Sequence, residues 1–118
     1  MKIKWNKELF GVEIETNRNH FVISALPSMV MDWHDAVRFY KDNKVWKLPT
    51  GEQLLLFAKY INEVNALIKA NGGYEIFGWH WTTKDYNEFG VWIVNMSGRD
   101  TFSDSKYANH YVRAVSTL

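Results

Sequence analysis

The side chains best equipped for chemistry in this chain are four histidines, His20, His34, His80 and His110, and they are scattered. No two have the i, i+4 spacing that turns a pair of imidazoles towards one metal ion on a helix. There is no cysteine, which removes thiolate nucleophiles, thiolate metal ligands and disulfides together. Ser97, Ser103, Ser105 and Ser116 lack the glycine-flanked strand-to-helix context of a hydrolase nucleophile. Asp85 and Glu88 share a polar loop, where both carboxylates are expected to be solvated. No base, nucleophile and oxyanion donor can be grouped. The residues therefore point to a protein that is not an enzyme and uses no cofactor and no metal.

Charge narrows the partners further. Fourteen basic and thirteen acidic side chains leave a formal charge of +1. The basic residues are interspersed: Lys2, Lys4 and Lys7 stand beside Glu8, and Arg38, Lys41, Lys44 and Lys47 flank Asp42. Nucleic-acid binding needs a concentrated positive footprint, because phosphate neutralisation supplies most of the affinity. No nucleic acid is expected. Membrane insertion is not expected either, since no run approaches the ~18 apolar residues of a span. MKIKWNKELF at the start lacks the apolar stretch of a secretory signal. The expected compartment is cytoplasmic by default, or surface or secreted if a leader has been removed. A length of 118 residues, 47% of them hydrophobic and 23% charged, fits a single domain over 1–118.

The elements that must position these residues follow from periodicity. Ile3–Trp5 and Val12–Ile14 read as edge strands, and HFVISAL from His20 to Leu26 as a clearer strand. Trp33, Ala36, Val37 and Tyr40 recur at i, i+3, i+4, i+7 and mark a helix. Asp32 is its N-cap, Asp35 an imperfect capping-box partner, and its end is expected near Asn43. In the stretch KVWKLPTGEQL, Pro49 biases Leu48 towards extended backbone. Thr50 and Gln53 then form a capping box, with Pro49 and Leu54 placed for a hydrophobic staple. Leu54, Phe57, Ala58, Ile61, Val64 and Ile68 form one apolar stripe, predicting a single long helix that leaves through Asn71-Gly72-Gly73.

After the glycines the period changes to that of strands, over Phe77–Thr83, Val91–Ser97 and Tyr111–Ser116. Lys84 to Glu88 reads as a hairpin loop and Gly98 to Asn109 as a longer polar return. Helices and strands are segregated, so the fold class is α+β. The expected architecture is two helices packed on a twisted antiparallel sheet.

Five motifs, in order, carry a resemblance. They are Met31-Asp-Trp33-His-Asp35-Ala36, Trp46-Lys-Leu-Pro49-Thr50, Trp81-Thr82-Thr83, Trp92-Ile-Val94-Asn95-Met96 and Tyr111-Val112-Arg113-Ala114-Val115. Together they resemble the Lcl C-terminal domain family, bacterial modules with a C-type-lectin-like fold. The family has paired serines where Thr82-Thr83 stand, a proline at Ala114 and a phenylalanine at Met96. The resemblance spans 31–115 as a family-like core, with 1–30 as additional N-terminal strands. It implies structural roles for Trp33, Trp46, Pro49, Thr50, Trp81, Trp92 and Arg113, the last as an ion pair or backbone clamp, with an anion or carboxylate contact as its functional alternative. Calcium-binding relatives carry Glu-Pro-Asn or Gln-Pro-Asp with Trp-Asn-Asp. Here the prolines are Pro27 and Pro49, neither in that context, and only Asp100 and Asp104 stand nearby. A calcium site is not expected. The related formylglycine-generating enzyme works through cysteines, which this chain lacks.

The resemblance places ligands on the loops of the C-terminal β-rich half. The candidate binding residues there are Tyr86, Asn87, Arg99, Phe102, Tyr107, Asn109 and His110. Aromatic and polar groups mixed in this way suit adaptable recognition. The expected function is a calcium-independent recognition module for a protein or glycan. The alternative is a structural or assembly domain of a larger surface or phage-type particle, and either is compatible with a homo-oligomer. His34, opposite the apolar stripe of its helix, is expected to be exposed. Trp79 shares a face with Trp81 and is expected to pack, with His80 and Thr82 on the other face.

Overall fold

Thr50 closes the N-terminus of a helix as the sequence predicts. Its Oγ1 accepts from Gln53 N–H at 3.1 Å, and Gln53 Oε1 accepts from Thr50 N–H at 2.9 Å. The computed structural model describes residues 1–118. Strands β1 (Lys2–Asn6), β2 (Gly11–Glu15), β3 (His20–Ser24) and β4 (Met29–Met31) come first. Helices α1 (Trp33–Tyr40), α2 (Gly51–Lys59) and α3 (Ile61–Ala70) follow. Then come β5 (Trp79–Asp85), β6 (Gly90–Asn95), β7 (Thr101–Ser105), β8 (His110–Val112) and β9 (Val115–Thr117). The α+β class stands. No helix is long and apolar enough to cross a membrane.

The expected single antiparallel sheet is in fact two sheets. One has the order β1-β2-β3-β9 and the other β4-β8-β5-β6-β7. The strand expected over Tyr111–Ser116 splits at Arg113-Ala114, so β8 lies inside one sheet, between β4 and β5, and β9 forms an edge of the other. β2 is not an edge strand but lies between β1 and β3. Val12 and Ile14 join the larger core, which explains its burial. The polar return contains β7, an edge strand paired only with β6.

The second sheet is mixed, since β5 and β8 run parallel through His80 and Tyr111. Leaving β7, the chain must reach the far side of β5, and it crosses over the Trp81 face beneath α1. Lys106 O accepts from Trp33 N–H at 3.1 Å on the way, and the His110 ring stands edge-on to Trp81 at 4.8 Å. A crossover, unlike a hairpin, permits a parallel neighbour.

The predicted long helix is broken at Tyr60, whose backbone leaves the helical region at φ −113°, ψ 29°. The break lets each half serve its own sheet: α2 packs on β5 and β6, α3 on β1 and β2. The apolar stripe continues through it, with Leu54, Phe57, Ala58, Val64 and Ile68 all in the larger core. At the far end Gly73 N–H bonds Ile68 O at 2.9 Å and Gly72 N–H bonds Lys69 O at 3.2 Å. With Gly72 at φ 78°, this is the Schellman exit. α1 stops at Tyr40 rather than near Asn43, because Asn43 Oδ1 takes the N–H groups of Val45 and Trp46 and turns the chain. Its N-cap is Asp32, while Asp35 pairs with Arg38 instead of completing a capping box. Val37, expected on the buried face, is exposed.

The smaller core gathers Trp81 with Ala36, Tyr40, Leu48, Val91, Ile93, Val112 and Ala114. Trp33, Trp46 and Trp79 pack against it, half-buried. Between Trp81 and Asp85 the β5–β6 register slips. The slip frees backbone groups that other elements use: Thr82 O accepts from Trp33 Nε1–H at 3.0 Å, and Pro49 O accepts from Thr83 N–H at 3.0 Å. The bend at Pro49 is thus fastened to the sheet it leads towards.

Candidate functional site

The seven candidate binding residues do not form one surface. Tyr86 and Asn87 sit at the β5–β6 hairpin, where Asn87 Oδ1 accepts from the N–H groups of Phe89 and Gly90, both at 2.9 Å. The Lys106 N–H bonds Phe89 O at 2.9 Å, which brings the β7–β8 turn with Tyr107 and Asn109 to the same end of the sheet. Arg99 lies at the other end, in the β6–β7 turn with φ 63°. Phe102 stands mid-strand on the open edge of β7, exposed. His110 turns inward, its Nε2 2.7 Å from Asp104 Oδ2 and its ring on Trp81. That hydrogen bond holds the Asp104 carboxyl below its ordinary pKa. His34 is not simply exposed: its ring lies 5.6 Å from Trp33 and 5.5 Å from Tyr107.

Beside the Tyr86 end a groove of about 630 Å³ runs between α2 and the second sheet. Trp92 and Leu55 supply its apolar lining, and Thr50, Glu52, Thr83 and Lys84 its polar groups. The Tyr86 ring meets Trp92 edge-to-face at 5.1 Å, extending the aromatic surface out of the groove. Trp92 is half-buried and accepts through its carbonyl from Thr82 Oγ1 at 2.8 Å, which fixes the strand that carries it. An aromatic ring flanked by hydroxyls, one carboxylate and one ammonium suits a polyhydroxylated ligand. The α2 side of the groove was not apparent in the sequence, because Glu52 and Leu55 lie some forty residues from Trp92.

A second constellation centres on Arg113, which is 2% exposed. Its Nε donates to Ser28 Oγ at 2.9 Å, and Nη1 donates to the carbonyls of Ser24 (2.9 Å) and Tyr74 (2.8 Å). Nη2 donates to Glu75 O at 3.1 Å. Of the two expected structural roles, this is the backbone clamp; no carboxylate faces it. Burial without a counter-charge lowers the guanidinium pKa to about 10, with Tyr40 acting in the opposite direction. Ser28 Oγ, already an acceptor, donates its own proton to His80 Nε2 at 2.9 Å. His80 Nδ1–H then donates to Gly78 O at 3.0 Å. Burial holds this imidazole neutral, its pKa lowered to about 4. A base that weak, paired with a serine already bonded to a cation, is poorly suited to nucleophilic chemistry at neutral pH. No three histidine, aspartate or glutamate side chains converge to hold a metal ion.

No family model matches the chain, and no curated protein matches it in sequence.

Proposed function

We propose that the chain is a C-type-lectin-like recognition module that binds a glycan along the Trp92–Tyr86 groove without calcium and without catalysis. The reading rests on one observation: an aromatic pair at the mouth of a groove whose other polar groups are hydroxyls, Glu52 and Lys84. Sugars stack apolar faces on aromatic rings and offer hydroxyls to such a rim. Glu52 is the single carboxylate in that lining, whereas most glycoside hydrolysis uses a pair; binding is therefore favoured over cleavage. The lectin-like reading is supported by the motif order and by helices set between N-terminal strands and a C-terminal β-rich half. The one parallel pairing departs from it, while the other pairings of that sheet are antiparallel.

Assembly is the second reading, favoured by β7, which leaves one edge unpaired and carries exposed Phe102. A glycan array probed with and without chelator tests both. Glycan binding is expected to be chelator-insensitive and to weaken about tenfold or more in Tyr86→Ala and Trp92→Ala. Loss of binding with chelator would overturn the calcium-independent reading. Absence of any sugar signal, with concentration-dependent oligomers abolished by Phe102→Lys, would establish assembly instead.

A further inference from the structure

Arg113 has no acidic partner, yet it lines a cavity of about 360 Å³ at the seam between the sheets. That volume falls within the range of small-molecule sites. Leu26, Pro27, Phe39 and Trp46 form apolar walls, and Leu26 and Phe39 are more than half exposed at its mouth. Tyr40 also lines it. This tyrosine is 6% exposed, and its hydroxyl has no hydrogen-bond partner in the chain although no fully enclosed polar atom is left unpaired. Its hydroxyl therefore opens onto the cavity.

Three carbonyls and the Ser28 hydroxyl accept four hydrogen bonds from the guanidinium but do not neutralise its charge. A cation kept from water by apolar walls attracts an anion more strongly than one at the surface. We infer that this cavity binds a small apolar carboxylic acid, its carboxylate facing Arg113 and the Tyr40 hydroxyl and its body lying against Phe39, Trp46 and Leu26. Size argues for a free small acid rather than a folded partner, and charge complementarity argues against a neutral one. The unoffset burial of Arg113 agrees with a counter-ion supplied by the ligand. This site lies apart from the Trp92 groove and does not depend on glycan binding.

The test uses 3-phenylpropionate against its uncharged isostere 3-phenylpropionamide, followed by tryptophan fluorescence and amide NMR on the full chain. The acid is expected to bind saturably by about 1 mM, at the weak end of specific affinity, shifting Trp46 and Tyr40 signals. The amide should bind at least about tenfold more weakly, the difference one charge-assisted contact makes. Phe39→Glu, at an exposed mouth position, should abolish acid binding while leaving the fold intact. Tyr40→Phe should weaken it. Equal affinity for acid and amide, unchanged affinity in Phe39→Glu, or no acid binding at that concentration would each overturn the assignment.

Discussion

His80 Nε2 lies 2.9 Å from Ser28 Oγ, and that same oxygen takes the Nε–H of Arg113 at 2.9 Å. One hydroxyl thus joins a buried imidazole to a buried guanidinium where the chain passes between the sheets, once from β3 to β4 and once from β8 to β9. The Nδ1–H of the imidazole is committed to Gly78 O, so Nε2 of the neutral ring is bare and the Ser28 proton points at it. The imidazole can accept it only while Nε2 is bare.

That geometry sets a pH dependence. Burial lowers the His80 pKa from 6.5 to about 4. Between these values the unfolded chain binds a proton that the folded chain refuses, so stability falls as pH drops through the window. The loss should total about 3 kcal/mol. Urea unfolding from pH 7 to pH 4 should show it, and His80→Gln should flatten the profile over that range. An unchanged slope in the variant would assign the acid sensitivity elsewhere. Glu13 and Asp104, both with lowered pKa, add losses through the carboxylate range, which begins at the lower end of this window and continues below it. For Glu13, burial acts upward but is outweighed by the hydrogen bonds from His20 and Asn6 and the charge of Lys4.

Trp81 is fully buried in the smaller core and donates Nε1–H to Met31 O at 2.9 Å. Trp81→Ala should cost about 3–5 kcal/mol. Trp81→Phe keeps much of the volume but leaves the Met31 carbonyl without its partner, and should cost about 1–3 kcal/mol. Denaturant midpoints of the two variants separate packing from the hydrogen bond. A cost for Trp81→Ala below about 1 kcal/mol would contradict the burial.

What was legible in the sequence was local. Thr50 with Gln53, Asp32 and the Asn71-Gly72-Gly73 exit each act through neighbours a few residues away, and each is where the sequence puts it. The break at Tyr60 was hidden because the apolar stripe keeps its phase across it, and only the existence of two sheets explains it. β7 was hidden because TFSDS has no buried face to impose alternation. The division of β8 from β9 was masked by Val112 and Val115, which read as one strand across Arg113-Ala114. Ser28 escaped notice for a different reason: its partners are 52 and 85 residues away, and no short-range pattern joins them. Of the candidate site, Tyr86 and Asn87 were in reach, whereas the α2 wall of the groove belongs to tertiary packing.

The capping box gives a quantitative check on that local reading. Thr50→Ala should destabilise the protein by about 1 kcal/mol. Gln53→Ala removes the reciprocal bond, and because the two act as a unit, the double variant should cost less than the sum of the singles. Urea unfolding of the four proteins measures it. Strict additivity would mean that the two hydrogen bonds do not cooperate.

Adjacent glycines at the exit of α3 should respond differently to the same substitution. Gly72 has φ 78° with open space where a Cβ would go, so Gly72→Ala meets only backbone strain, about 1 kcal/mol. A Cβ on Gly73 would lie 2.7 Å from Ala25 Cβ and 3.0 Å from Ala25 O. Overpacking there should cost about 1–3 kcal/mol. It should also push Tyr74 and Glu75 away from β3, although Tyr74 N–H bonds Ala25 O at 2.8 Å and both carbonyls hold Arg113. The guanidinium Nη–H resonances, whose protons those carbonyls accept, report this directly: they should shift in Gly73→Ala and stay in place in Gly72→Ala. Identical spectra for the two variants would show that the α3 exit does not position the arginine clamp.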